Sequence, residues 1–358
     1  MSSYGGLGGS ELATADFLAH RPPGVDARAL LVSGGALEDV LVQHDVPTRV
    51  AEGFEGKPGR AEITRFGRGL GPLLRNERPD VIWAVGQKAA LLASAPARAA
   101  RIPLVWHKVD FSWDRQLGRP LVAAARGLIA SSHAVVEPLG RAGRRKLIDV
   151  VWPPLRLEGH VEPRFDPAAP AIGIVGRLVP YKGAHHVIRA GALLADEFPS
   201  LRIVIAGGSA PQYPDYPDSL RALAAELGIS DRVDLLGHVG DVRPVLEGLT
   251  VFMSATYRDD EGFGLEGLGA GILEASWAGL PVVVARAGGT VETLEDGVTG
   301  TLVDAPEPEA LAAAAAPYLR DAELARAAGA AGRAFVERSG IAPEQAARRL
   351  FAALATVA

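Results

Sequence analysis

The sequence contains no cysteine. Disulfides, thiolate nucleophiles and cysteine metal sites are therefore excluded, and the composition fits a reducing cytosol. Long hydrophobic runs are missing too: nothing approaches the roughly 18 apolar residues a membrane-spanning helix needs, and no basic segment followed by an apolar one opens the chain. Neither a membrane span nor a secretory signal is expected. A basic excess is also lacking. The 37 Lys and Arg residues against 42 Asp and Glu give a net charge of −5, which argues against nucleic acid as a partner, because binding along a phosphate backbone requires the opposite balance. No internal repeat with a period of about 20 to 50 residues is visible, which excludes a solenoid. The eight histidines are scattered. His185 and His186 are adjacent on an expected helix, where neighbours point about 100° apart, so they make a poor metal pair and read as surface or packing residues.

What the sequence does contain is chain enough for two domains, at 358 residues. Short β-branched runs recur, each followed by an alanine- or leucine-rich helical pattern, which is the sequence form of βα units and a parallel sheet. Strands are expected at 28–35, 80–86, 103–109, 127–132 and 149–154 in the first half. In the second half they are expected at 171–178, 201–208, 232–239, 250–255 and 281–289. Several end in glycine or a small polar residue at the carboxyl edge, where open α/β sheets bind ligands. Residues 153–170, "PPLRLEGHVEPRFDPAAP", hold five prolines and no periodicity. The expected division is a domain at 1–155, a linker at 156–170, a second domain at 171–340, and a helix at 341–358 that packs back toward the first domain. Leu350, Phe351 and Leu354 form the apolar stripe of that last helix.

Two segments carry chemistry. In "GIVGRLVPYKG" (173–183), Arg177 lies just past a strand end and Lys182 five residues later, before a helix introduced by Gly183. Two cations at the mouth of a parallel sheet would clamp a polyanion such as a diphosphate, while the plain alternative is a solvated loop. The second segment, "DDEGFGLEGLGAGILEA" (259–275), contains a duplicated acid–glycine phrase, at Glu261 and again at Glu266. The run 270–278 reads as a helix start buried by Ile272, Leu273 and Trp277. Backbone N–H groups at Gly269 to Gly271 then form an anion site. Glu274, about one turn in, points back toward the helix N-terminus and suits a ribose diol; alternatively it only complements the helix dipole. Asp259 and Asp260 read as a solvated acidic pair rather than a metal site.

These residues resemble the retaining GT-B glycosyltransferases of family four, the group 1 glycosyl transferases. "VGRLVPYKG" matches the family's strand-loop, and Glu266 to Glu274, with seven residues between them, matches its acid spacing; Glu261 to Glu274, with twelve, does not. "PVVVARAGGTVETLEDGVTGTLV" (281–303), "VDLLGHV" (233–239) and "GGLGGSE" (5–11) extend the resemblance, and His107 after "PLVW" stands where the family often has a histidine, although "HKVD" departs from the commoner His-Asp phrase. The family's glycine loop follows a central first strand, yet only Met1 to Tyr4 precede Gly5 here, so that strand is expected to be missing or truncated.

The resemblance implies an α/β chain of GT-B fold: two facing Rossmann-like, doubly wound parallel-sheet domains with an interdomain cleft. It implies transfer of a sugar from a UDP- or GDP-type nucleotide-sugar donor to an acceptor hydroxyl, with retention and no metal or other cofactor. Arg177 and Lys182 would neutralise the diphosphate, and Glu274 would bind the ribose. Glu266 and the amides of Gly267, Leu268, Gly269 and Ala270 would hold the sugar and distal phosphate. His238 and Val239 would line the base pocket, with Gly8, Gly9 and His107 closing the site from the other domain. The expected partners are the donor and a carbohydrate, lipid-linked or small-molecule acceptor, in the cytoplasm, with no nucleic acid and at most peripheral membrane contact. The basic run "RAGRRK" (141–146) reads as a solvated helix end. A catalytically weak nucleotide-sugar binder, or another GT-B enzyme such as an epimerase or phosphorylase, remains the alternative.

Overall fold

The computed structural model describes residues 1–2, 6, 8–51, 58–157, 159, 161–259 and 264–358. The chain divides into two compact units, Met1–Pro154 with Ile341–Ala358, and Leu155–Gly340.

The first unit begins with α1 (Gly9–Ala19), β1 (Ala29–Leu31), α2 (Ala36–Gln43), β2 (Thr48–Val50), α3 (Arg60–Glu77) and β3 (Ile82–Val85). It continues through α4 (Gly86–Ala100), β4 (Leu104–Lys108), α5 (Asp114–Ala124), β5 (Gly127–Ala130), α6 (Gly140–Lys146) and β6 (Leu147–Val150). Every pairing is parallel, β1 with β2 and, in order, β3-β4-β5-β6. Ser2 joins the two sets by bridging Leu31 and Val85 in parallel, and its carbonyl accepts from Val32 N at 3.0 Å. The place where no first strand was expected is thus held, among the described residues, by Met1 and Ser2.

The second unit contains β7 (Ala171–Val175), α7 (Ala184–Leu194), β8 (Arg202–Ala206), α8 (Tyr216–Glu226), β9 (Val233–Gly237) and α9 (Arg243–Glu247). After these come β10 (Val251–Ser254), α10 (Ala270–Trp277), β11 (Val282–Ala285), β12 (Gly300–Val303), α11 (Pro308–Arg320) and α12 (Ala322–Arg338). Its six strands form one parallel sheet in the order β12-β11-β10-β7-β8-β9. Central strands such as β10 (VFMS) and β11 (VVVA) are buried at every position, as a sheet covered on both faces requires. The alanine-rich stretch 308–338 is two helices. Asp321 separates them, its Oδ1 accepting from Glu323 N at 2.9 Å and Leu324 N at 3.1 Å to cap α12.

Two expectations need correction. β2 and β12 were not foreseen: both are edge strands of three or four residues, and β2 (Thr-Arg-Val) carries no apolar run to announce it. The proline-rich segment read as a linker is packed. Leu157, Val161 and Phe165 join the core of the second unit, and Arg333 Nη2 donates to Val161 O at 2.7 Å. These three residues hold the described part of the segment to that core. The terminal helix α13 (Pro343–Ala355) is part of the first unit, burying Ala346, Ala347, Leu350 and Leu354 against Phe17, Val105 and Ile129. Among the described residues, no helix is long and apolar enough to cross a membrane.

Candidate functional site

In the second unit, the loop after β7 is fixed by local geometry. Leu178 bridges Ser209 in parallel, and a single 3-10 turn over Pro180–Lys182 delivers Lys182 to the sheet edge. Gly183 closes that turn with φ +78, and a Cβ there would strike the carbonyl of Ala255. Only glycine allows the two backbones to approach this closely. Beside it runs the segment after β10: Tyr257 N donates to Tyr181 O at 3.0 Å, and the Thr256 hydroxyl donates to Glu266 Oε1 at 3.2 Å.

Glu266 is held by its backbone as well. Its N–H donates to Ala287 O at 3.1 Å and its carbonyl accepts from Gly289 N at 2.8 Å, which ties it to the loop after β11. Gly289 sits so close to Gly267 and Leu268 that a Cβ would collide with the Gly267 carbonyl. The Lys182 ammonium pairs with the Glu266 carboxylate, and the two side chains are 25% and 19% exposed. Burial opposes ionisation of Glu266, but the Lys182 ammonium, the Thr256 hydroxyl and the Arg177 charge outweigh it and hold the carboxyl below the usual carboxylate range. Arg177 itself is exposed.

From Glu266 the chain turns through Gly267, buried Leu268 and Gly269, whose φ of +105 starts α10 at Ala270. Among the described residues no side chain caps this helix N-terminus, whose first amides follow the turn that begins with the ion pair. Glu274 is half-buried in the second turn of α10. His238, exposed, and Val239 follow β9, and His238 Cβ lies 3.5 Å from where a Cβ on Gly208 would be. The structure thus brings Lys182, Glu266 and the influence of Arg177 together. Sequence reasoning missed Thr256, for which no local signal exists, and the structural need for Gly289, which the quoted "AGG" contains. His185 and His186, read as diverging, instead bring their ring centroids within 4.2 Å. Asp259 is half-buried, while Asp260 and Glu261 lie outside the described residues. Among the described residues, no three His, Asp or Glu side chains cluster in a manner that could hold a metal ion.

In the first unit, Gly8 and Gly9 open α1. His107 lies inside β4, 4% exposed and stacked on Trp83, whose Nε1 donates to His107 Nδ1 at 3.1 Å. Burial lowers its pKa to about 4. Neighbouring Lys108 is fully buried, donating to Asp114 Oδ1 at 2.6 Å and to the Asp110 carbonyl at 2.5 Å. The basic run forms α6, where Arg141, Arg144 and Arg145 are exposed and Lys146 Nζ donates to Ala125 O at 2.7 Å.

Residues 158–335, almost all of the second unit, match the family described as "Glycosyl transferases group 1". A GDP-mannose-dependent alpha-(1-6)-phosphatidylinositol monomannoside mannosyltransferase of Mycolicibacterium smegmatis is 31% identical over 280 residues, covering 71% of this chain and 71% of that protein. The chain belongs to the group 1 glycosyl transferases. Another relative in the family, the lipopolysaccharide core biosynthesis mannosyltransferase LpcC of Rhizobium leguminosarum, is 32% identical over 292 residues, 73% of this chain and 79% of that one. Among solved structures, HepE of Anabaena in complex with UDP and glucose superposes with a TM-score of 0.81 at 24% identity, covering 99% of this chain and 98% of that chain. The lipopolysaccharide outer core galactosyltransferase WaaB, in its apo form, does so at 0.79 and 15% identity, covering 99% of both chains. With its two parallel-sheet α/β units, this glycosyltransferase has the GT-B fold.

Proposed function

We propose that the protein transfers a hexose from a UDP- or GDP-type nucleotide sugar to an acceptor hydroxyl, with retention of configuration and without a metal. The observation that carries this reading is the Lys182–Glu266 pair at the sheet edge, next to the uncapped N-terminus of α10. Cations and helix amides suit a diphosphate, and a carboxylate kept ionised suits sugar hydroxyls. In this reading Lys182 exchanges Glu266 for a donor phosphate, Arg177 supplies the second cation, and Glu266 with the amides of Gly267 to Ala270 holds the sugar and distal phosphate. Glu274 takes the ribose hydroxyls, and His238 and Val239 border the base. The bond from the anomeric carbon to the leaving phosphate oxygen breaks while the acceptor oxygen bonds to the same face, and the departing diphosphate takes the acceptor proton. The two cations and the helix dipole supply the countercharge that a metal would otherwise provide.

The first unit takes the acceptor side, with Gly8 and Gly9 at the start of α1. The burial of His107 makes it a group that shapes a strand end rather than one that exchanges protons. The acceptor is a carbohydrate, a lipid-linked sugar or a small molecule, met in the cytoplasm with at most peripheral membrane contact. The GDP-mannose and UDP named for the relatives define the donor screen. UDP-, GDP-, ADP- and TDP-sugars are compared by thermal shift, since a bound donor raises stability by mass action. The donor that shifts the protein is then used for transfer, with the anomeric configuration of the product read by NMR. A shift with a UDP- or GDP-sugar that Lys182→Ala abolishes, followed by a product of unchanged configuration, is expected. No shift with any donor, or an inverted product, overturns the reading.

A further inference from the structure

The two segments that carry Lys182 and Glu266 are joined at a cluster of rings that the reaction itself does not use. His185, three residues after Lys182 in the first turn of α7, shares a hydrogen bond of 2.8 Å between its Nδ1 and the hydroxyl of Tyr216, the first residue of α8. Tyr257 receives both histidines edge-to-face, with centroids 5.8 Å from His185 at 84° and 5.1 Å from His186 at 89°. Such arrangements set the rings' mutual orientation as well as their distance. Tyr257 is in turn a tie between the two segments. Its N–H donates to Tyr181 O, its neighbour Thr256 donates to Glu266, and Gly264, at φ +98, lies against its carbonyl and 2.9 Å, measured from a Cβ built there, from Tyr181 Cβ. Three pieces of chain therefore meet at His185: the loop that delivers Lys182, the start of α8, and the segment that leads to Glu266.

We propose that His185, Tyr216 and Tyr257 form a positioning hub that fixes Lys182 and Glu266 in the geometry that transfer needs. This rests on the reading of those two residues given above. The hub acts through the backbone ties at Tyr181 and Thr256, so a change in the rings moves the ion pair without removing either charge. The ring environment is built for a neutral imidazole. Burial, followed by His186 and the charge of Arg189, lowers the His185 pKa to about 4, and burial pushes the Tyr216 hydroxyl up. A misplacement of about an ångström at a reacting centre costs on the order of 10²-fold in rate, so a hub of this kind is visible in turnover before it is visible in donor affinity.

The test uses the full chain with UDP-glucose and GDP-mannose, reading release of the nucleoside diphosphate together with thermal midpoints. Tyr216→Phe keeps the ring and removes only the hydroxyl; His185→Phe keeps a ring against Tyr257 and removes the hydrogen bond. Each is expected to lower kcat by about 10- to 100-fold with less than about threefold change in donor KM. The double variant should lose no more than the worse single one, because both substitutions break the same unit. His185→Asn, which keeps a hydrogen-bonding group near the Nδ1 position, should recover part of the turnover lost in His185→Phe. Wild-type kcat in both single variants, or losses that multiply in the double variant, overturns the hub, even where the thermal midpoints fall. Lys182→Ala in the same assay separates the two levels. If it turns over normally, the reading of the site itself fails. If it is inactive while Tyr216→Phe is fully active, the hub alone fails. Tyr216→Phe carries the test by itself should His185→Phe not fold.

Discussion

The two units are built on the same plan, yet they treat ionisable groups at their strand ends in opposite ways. In the second unit the glycines at 183 and 289 let backbones approach closely, and the charged heads of Lys182 and Glu266 are left 25% and 19% exposed. In the first unit bulk replaces glycine. His107 is covered by Trp83 and Phe17, and Lys108 lies beneath Trp106 and Phe111 with no exposed surface. Lys108 is satisfied internally by Asp114 and the Asp110 carbonyl, and Gln87 Nε2 holds Asp110 Oδ1 at 2.8 Å. A lysine at the carboxyl edge of a parallel strand is therefore not a ligand site by position. On the reading proposed above, it becomes one where the backbone, rather than a side chain, provides the close packing.

The largest effect that tests this contrast is on turnover. Lys182→Ala should lower kcat by on the order of 10²- to 10³-fold, the usual cost of removing one preorganised donor to developing charge, with a thermal midpoint near that of the wild type. The stability change should be modest, because the Thr256 hydroxyl and the Arg177 charge still favour the Glu266 carboxylate once the ammonium is gone. Steady-state kinetics alongside thermal unfolding checks both halves. A large drop in midpoint with little loss of turnover would make Lys182 a structural group like Lys108.

How much of this was legible in the sequence follows the same divide. Glu266 and Glu274 lie within one turn and helix start, so the family's seven-residue acid spacing could single them out locally. Gly183 and the "GRL" phrase likewise sit beside the cation they position. The pairing of Lys182 with Glu266 spans 84 residues, and no local rule contains it. Thr256 could not be singled out either, since its partner Glu266 lies ten residues on, nor could Tyr257, whose partner Tyr181 comes from a different βα unit. Proline in 153–170 suggested a linker and hid the apolar positions Leu157, Val161 and Phe165 that join the core of the second unit. Edge strands β2 and β12 escaped because half-exposed strands need no hydrophobic pattern.

A second substitution inverts the first. Lys108→Met leaves Asp114, whose side chain is only 10% exposed, without its cation. Breaking a buried pair from one side costs about 3–5 kcal/mol, whereas replacing both partners by apolar residues is often close to neutral. Burial already disfavours the charged form of each partner, lowering the Lys108 pKa and raising that of Asp114. Denaturant unfolding should therefore show Lys108→Met strongly destabilised and Lys108→Met combined with Asp114→Leu largely restored. Equal loss in the single and double variants would mean that the first unit depends on the ion pair itself.

The smallest expected effect concerns pH. His107 has a folded-state pKa of about 4 against an unfolded value near 6.5, so the unfolded chain binds the proton first. The stability held by neutral His107 is fully present above about pH 6.5 and is lost as the pH falls toward 4, amounting to about 2 kcal/mol between pH 7 and pH 5. His185, lowered to about 4 in the second unit, adds a loss of the same sign. His107→Asn keeps an acceptor for Trp83 Nε1 and removes the titration, so its unfolding free energy should fall less between pH 7 and pH 5 than that of the wild type. Because only one of the two histidines is changed, a residual slope from the second unit should persist. Identical slopes in the two proteins would show that water reaches His107 in the folded state, and the closed strand end that sets the first unit apart from the second would be an open one.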